Sequence, residues 1–161
     1  MLQFRISILI ISLILIYSCV YKKTTLDQVK INKKNDKMFF EKKSKPYSGI
    51  LYEFYDDGIV KVKMNINNGI IDGNVYQYFK NGNIETKAFF KNGEMVKKFE
   101  AYYITGSIFQ ISHYENNMKN GSHEEFFENG KLKMCGNYYR GLKIGEFEEY
   151  FKSGGKAIYN Y

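Results

Sequence analysis

The chain has 161 residues, a formal net charge of +7, two cysteines and two histidines. Read as an average, a basic balance of this size would suggest nucleic acid. Here nine lysines stand against three acids between Val20 and Lys45, while Pro46 to Tyr161 carries fourteen residues of each sign, so the body lacks the positive groove that a stacked single strand needs.

Residues 1–18 read as a signal peptide. Arg5 supplies a basic start, and the apolar run from Ile6 to Tyr17 is shorter than the roughly 20 residues that span a bilayer while matching the length of a signal-peptide core. The run ends in Ile16-Tyr17-Ser18-Cys19, which resembles a bacterial lipobox. That resemblance implies lipidation of Cys19 as the new N-terminus, and an exported lipoprotein anchored in the bacterial cell envelope. An uncleaved anchor and a plain secretory signal are the other readings of the same run. One lipid chain holds a membrane only marginally. Residues 19–45 offer a second signal, a lysine-rich tether able to lie on anionic headgroups, although such a stretch also suits a solvated linker. Met38-Phe39-Phe40 marks a capping strand near residues 38–41.

Residues 46–161 carry a 24-residue glycine ruler. One column holds Gly49, Gly73, Gly121 and Gly145, with Lys97 in its third slot. A second holds Gly58, Gly82, Gly106, Gly130 and Gly154; a third holds Gly69, Gly93 and Gly141, with Asn117 in the remaining slot. A fixed period of this length marks a repeat architecture, and stacked repeats build extended surfaces rather than single pockets. No catalytic residue is therefore expected, and the chain reads as a non-enzyme. In the unit Gly73–Val96, two runs rich in aromatic and β-branched residues flank Asn81-Gly82, and a second turn follows at Asn92-Gly93. Asn-Gly between such runs predicts a two-residue type I′ hairpin, and Asn117 tolerates the left-handed region almost as glycine does. The expected fold is all-β: an elongated, single-layer antiparallel β-meander of five 24-residue hairpin repeats.

A two-residue loop at Asn81-Gly82 sets Phe79 opposite Ile84. The same columns set Tyr55 opposite Val60, Tyr103 opposite Ile108, Phe127 opposite Leu132 and Phe151 opposite Lys156. Neighbouring residues of a strand point to opposite faces. Tyr52, Phe54, Tyr76, Tyr78, Tyr102, Phe126 and Tyr150 then fall on the other face, which becomes the expected binding face. Tyrosine suits protein recognition and sheet stability alike. His113 and His123 read as ordinary strand histidines, Cys135 as a packed thiol, and neither cysteine spacing nor histidine spacing marks a metal. Glu124-Glu125 and Glu148-Glu149, with Glu100 continuing the first column, read as an exposed acidic stripe rather than catalytic pairs. No cofactor and no nucleic acid are expected.

The stretches YSGILYEFYDDG, GNVYQYFKNGNI, GSHEEFFENGKL and GEFEEYFKSGG resemble MORN-type repeats. They are closest to a bacterial variant in which Gly, four residues, two aromatics, a polar residue and Asn-Gly recur. The resemblance covers Tyr47 to Tyr161, with the unit led by Lys97 the most divergent. It implies an elongated β-scaffold without chemistry of its own, binding a protein partner or a membrane surface. Two labels travel with the family. A lipid-kinase label lacks support here, because no phosphate-binding glycine-rich loop opens a helix and no kinase domain has room. An antitoxin of the YwqK type fits a binding scaffold, and an immunity role against a toxin met outside the cytoplasmic membrane also fits an export signal. Direct phospholipid binding by the sheet is the third alternative.

Overall fold

The computed structural model describes residues 24–34 and 37–161. The segment expected to be a signal peptide, and Cys19, lie outside the described residues. The elements are β1 (Thr24–Thr25), a single 3-10 turn (Leu26–Gln28), β2 (Lys30–Lys34), β3 (Lys37–Lys42) and β4 (Lys45–Pro46), followed by five hairpins. These are β5 (Gly49–Phe54) with β6 (Val60–Asn67), β7 (Ile70–Tyr78) with β8 (Ile84–Lys91), β9 (Glu94–Tyr102) with β10 (Ile108–Glu115), β11 (Met118–Phe126) with β12 (Leu132–Tyr139), and β13 (Leu142–Tyr150) with β14 (Lys156–Asn160). Strands β5 to β14 follow one another in chain order across an 11-stranded sheet whose first member is β1, while β2, β3 and β4 form a sheet of their own. The expected antiparallel meander of five hairpins is therefore the observed architecture.

The two turns of each unit differ in kind, which corrects the expectation of one type for both. Between hairpins, Asn68-Gly69, Asn92-Gly93, Asn116-Asn117 and Arg140-Gly141 all have positive φ at both positions, as a type I′ turn requires. Within hairpins the loop has three residues. The Gly82 amide donates to the Phe79 carbonyl at 2.9 Å and the Phe79 amide donates to the Asn83 carbonyl at 2.9 Å. Gly82 has φ +87° while Asn81 is not left-handed: a β-turn closed by a left-handed glycine bulge. Asn81 is favoured for another reason, since its Oδ1 accepts the Asn83 amide at 3.0 Å. Asp57 and Asn129 do the same for Ile59 and Lys131, each mimicking a backbone turn.

The extra loop residue moves the pair next to the turn. A bulge between Gln77 and Tyr78 absorbs the displacement, so that Gln77 and Thr86 are paired as a two-residue loop would have them. Ile84 lies opposite Tyr78, not Phe79, and Val60, Ile108, Leu132 and Lys156 lie opposite Phe54, Tyr102, Phe126 and Tyr150. In the first four hairpins the bulge turns only the first residue of the second strand to the other face. The Tyr55 column closes the loop through its backbone, the Tyr55 amide donating to the Ile59 carbonyl at 2.8 Å, and two of its side chains reach the neighbouring hairpin. Tyr55 Oη donates to the Tyr78 carbonyl at 2.7 Å, and Tyr103 Oη to the Phe126 carbonyl at 2.9 Å. Each tyrosine ties its unit to the next.

Burial is concentrated on one face, here the inner face. Its central row is Leu51, Val75, Phe99, His123 and Phe147, and the first four lie opposite Met64, Ala88, Ser112 and Gly136. Where the row gains a ring, the partner shrinks. Leu51 is 0% exposed, His123 2% and Phe147 1%, a burial worth about 1.5–3 kcal/mol for each large apolar side chain.

The stretch read as a tether is folded in part. Phe40 and Val29 pack with Leu51, Ile66 and Ile71, and the Phe40 amide donates to the Gly69 carbonyl at 2.7 Å. Lys43 and Ser44, with φ 53° and 59°, turn the chain between β3 and β4, whose pairing joins Lys42 to Lys45. The small sheet thus lays Phe40 on the inner face of the first unit.

Candidate functional site

The seven aromatic residues singled out in the sequence all lie on the face opposite the buried row, and all are half-buried. Tyr52 stacks on Phe54 with centroids 6.1 Å apart, and Tyr76 on Tyr78 at 6.3 Å. Their strands present residues i and i+2 to the same side. In the later units a glutamate replaces the first ring, giving Glu100 with Tyr102, Glu124 with Phe126 and Glu148 with Tyr150. Because of the register shift, this face also carries the cross-strand aliphatic partners, so its rings pack laterally as well as facing solvent. Burial pushes the Tyr78 hydroxyl up, with help from Tyr76 and Tyr52, and burial raises Tyr102 too. Both hydroxyls remain neutral donors.

The acidic column is not an exposed stripe. Glu100 is only 6% exposed, and it is gripped by Lys98 at 2.6 Å and Lys87 at 3.3 Å. Burial alone would raise its carboxyl, but the two lysines outweigh that and hold it below the usual range. Glu148 accepts from Lys156 and Tyr150, and the Lys156 bond is the main reason its carboxyl stays low. Cys135 sits between Glu124 and Glu148 in the register. Burial, then these carboxylates, raise its thiol, the opposite of what a reactive thiolate needs.

The inner face holds a polar line that sequence reasoning missed. Ser112 Oγ and His123 Nδ1 are 2.7 Å apart, and His123 Nε2 lies 3.4 Å from Glu125 Oε1. Lys133 Nζ grips the other Glu125 oxygen at 2.9 Å, and Gln110 Nε2 donates to Ser112 Oγ at 2.9 Å. His123 is thus a strand histidine held by partners on both ring nitrogens. The serine, histidine and carboxylate are aligned, but Ser112 is 0% exposed, which leaves no space for a substrate at its oxygen. The line satisfies polar groups that replace the apolar pairs of earlier units. Burial, then Lys119, pushes the His123 imidazole down. Burial would raise the Glu125 carboxyl, but Lys133 and then His123 hold it low. The sequence signal was available: Glu125 follows His123 by two residues, hence on the same side of the strand. Among the described residues no group of three or more His, Cys, Asp and Glu is placed to hold a metal ion, and no helix is long and apolar enough to cross a membrane.

These features define an open β-repeat sheet with one aromatic face and one lined by a buried row. Residues 71–92 and 119–138 match the family described as MORN repeat variant, which places the family's repeat in the second and fourth hairpins. No curated protein matches the chain. A solved structure titled "Crystal structure of GtfA/B complex bound to UDP and GlcNAc" is similar over 82% of this chain, at 10% identity and a TM-score of 0.28. The match spans 24% of that structure's chain, and likeness at this level bears on neither fold nor function.

Proposed function

We propose that the chain is a non-enzymatic scaffold that binds a protein partner through its aromatic face while Cys19 and the basic segment after it hold it at a bacterial membrane. The row Tyr52, Phe54, Tyr76, Tyr78, Tyr102, Phe126 and Tyr150, shared by all five units on one face, carries this reading. Half-buried tyrosines lose little conformational freedom on binding and are favoured anchors of protein interfaces. The neutral body favours a protein over a bilayer as the sheet's ligand, since surface attraction to anionic lipid requires clustered basic residues.

The test uses the full chain in cells, with a photo-crosslinking amino acid at Tyr76 or Tyr102. A discrete crosslinked partner at both positions, lost when Tyr78 is changed to Ser, is the expected result. Absence of any partner at both positions across growth conditions refutes the scaffold. Identification of the partner as a toxin would assign the antitoxin or immunity role, and liposome flotation by the Cys19→Ala chain would assign direct phospholipid binding. Fatty-acid labelling that persists in Cys19→Ala would overturn the anchor.

A further inference from the structure

Four cross-strand pairs related by the 24-residue period run along the inner face: Ile66 with Ile71, Phe90 with Met95, Tyr114 with Lys119, and Tyr138 with Lys143. The series begins apolar and ends tyrosine–lysine. Its beginning is covered by the chain itself, through Phe40 and Val29. No described segment covers its end.

At that end the rings form a connected cluster. Tyr138 meets His123 at 5.4 Å and Phe147 at 5.5 Å, and Phe147 meets Tyr161 at 5.4 Å, all edge to face. Lys119 Nζ stands over Tyr138 at 4.8 Å, and Lys143 Nζ stands 4.7 Å from the centroids of both Phe147 and Tyr161. Neither ammonium has a carboxylate within 4.0 Å among the described residues, whereas the neighbouring Glu125 is occupied by Lys133 and His123. Glu149, on the same side of the sheet, accepts from Tyr159 at 3.3 Å. Burial pushes the Lys119 ammonium down, the charge of Glu125 opposes it, and Lys143 adds a smaller downward push. Among the described residues Lys119 Nζ reaches only His123 Nδ1 at 3.5 Å, and Lys143 Nζ only the Tyr161 hydroxyl at 3.3 Å. A half-buried ammonium with no carboxylate in contact is costly, and a bound anion would relieve it.

We propose that Lys119 and Lys143, set on the ring cluster of His123, Tyr138, Phe147 and Tyr161, form a docking site for an acidic segment of a protein partner. Two separated ammonium groups suit two carboxylates on one peptide, and the rings between them suit its apolar side chains. A bilayer is the weaker match: headgroup attraction is gained from about 4–8 clustered basic residues, and this site has two, with Glu125 and Glu149 alongside. The proposal rests on the scaffold reading but uses the opposite face.

The test is fluorescence anisotropy of a labelled peptide of alternating glutamate and tyrosine, titrated with the full chain. Lys119→Met with Lys143→Met, which keeps the stems and removes both charges, is expected to weaken binding at least about tenfold. Lys119→Arg with Lys143→Arg should retain binding and guards against misfolding as the cause. Lys131→Met on the exposed turn edge should have no effect. Equal binding by the double methionine variant, no binding by the unmodified chain, competition by inorganic phosphate as effective as by unlabelled peptide, or lysine-dependent binding to phosphatidylserine vesicles without peptide binding would each overturn the site. Crosslinking through Tyr76 in the double methionine variant separates failure here from failure of the scaffold reading.

Discussion

The ring of Phe147 lies across Gly136, so that a Cβ added to Gly136 would sit 2.5 Å from the ring's Cγ and Cδ1 atoms. Gly136 is not in the left-handed region, and its glycine is demanded by space alone. Gly136→Ala is expected to destabilise the chain by about 1–3 kcal/mol, the usual cost of overpacking. In a Phe147→Ala background the same substitution should cost little, because the obstructing ring is gone. Urea unfolding of the four chains in a double-mutant cycle measures the coupling, and an equal cost in both backgrounds would contradict the packing.

Lys97 occupies a glycine slot with φ 65°, and its ammonium stands 4.2 Å from the centre of the Phe89 ring. A left-handed residue with a Cβ costs about 1–2 kcal/mol, and the cation–ring contact returns about 0.5–1 kcal/mol at an exposed site. Lys97→Gly should therefore stabilise by about 0.5 kcal/mol, while Lys97→Ala, which keeps the strain and loses the contact, should destabilise by a similar amount. Denaturant midpoints in the reverse order would refute this balance.

Acid should weaken the sheet through His123. Its imidazole is pushed below the ordinary value of 6.5 by burial, so between that value and its folded pKa the unfolded chain binds more protons. Stability then rises with pH across this window, and is lost as pH falls below 6.5 toward the folded pKa. Glu125, held below 4.5 by Lys133, adds a loss of the same sign at lower pH. Thermal melts at about pH 7.5 and about pH 5 should show a smaller drop for His123→Phe, which copies the Phe99 and Phe147 of the same row. An unchanged drop would place the acid sensitivity elsewhere.

The turn at Lys43 and Ser44 holds two left-handed residues without a glycine or asparagine. Lys43→Asn with Ser44→Gly should stabilise the β3–β4 hairpin by about 1 kcal/mol, since that dipeptide is favoured at both positions. Slower hydrogen exchange at the amides of Phe40 and Tyr47, which bind the Gly69 and Phe40 carbonyls, would report it. Unchanged exchange would mean that the turn does not limit opening of this segment.

Turn chemistry divides what could be read in the sequence from what could not. Paired left-handed positions leave an Asn-Gly trace, so Asn92-Gly93 and its relatives were legible, and with them the fold. The three-residue loop leaves the same trace at Asn81-Gly82 for a different reason, the bond from the Asn83 amide to the asparagine side chain. That one residue moved Phe79 out of register with Ile84. The capping strand near residues 38–41 was legible and is β3, but its pairing with β4 was not, because Lys43-Ser44 carries no turn signature. The inner-face site was missed because each of its pairs spans two strands, and Lys119 resembles any solvated lysine until Tyr138 is placed beneath it.

The joints between hairpins are alike. The Gly69, Gly93 and Gly141 amides bind the Tyr47, Ile71 and Lys119 carbonyls at 2.7–2.8 Å, and the Asn117 amide binds that of Met95 at 3.0 Å. Identical joints keep no count. A chain spliced to remove one period would close its backbone bonds as before, and nothing in those bonds would register the loss. The record of position lies in the lining, where Met64, Ala88, Ser112 and Gly136 each admit a different neighbour. Excising the hairpin that contains Ser112 would leave a continuous shorter sheet in which His123 has lost its partner, so the order of the units is written in side-chain volume.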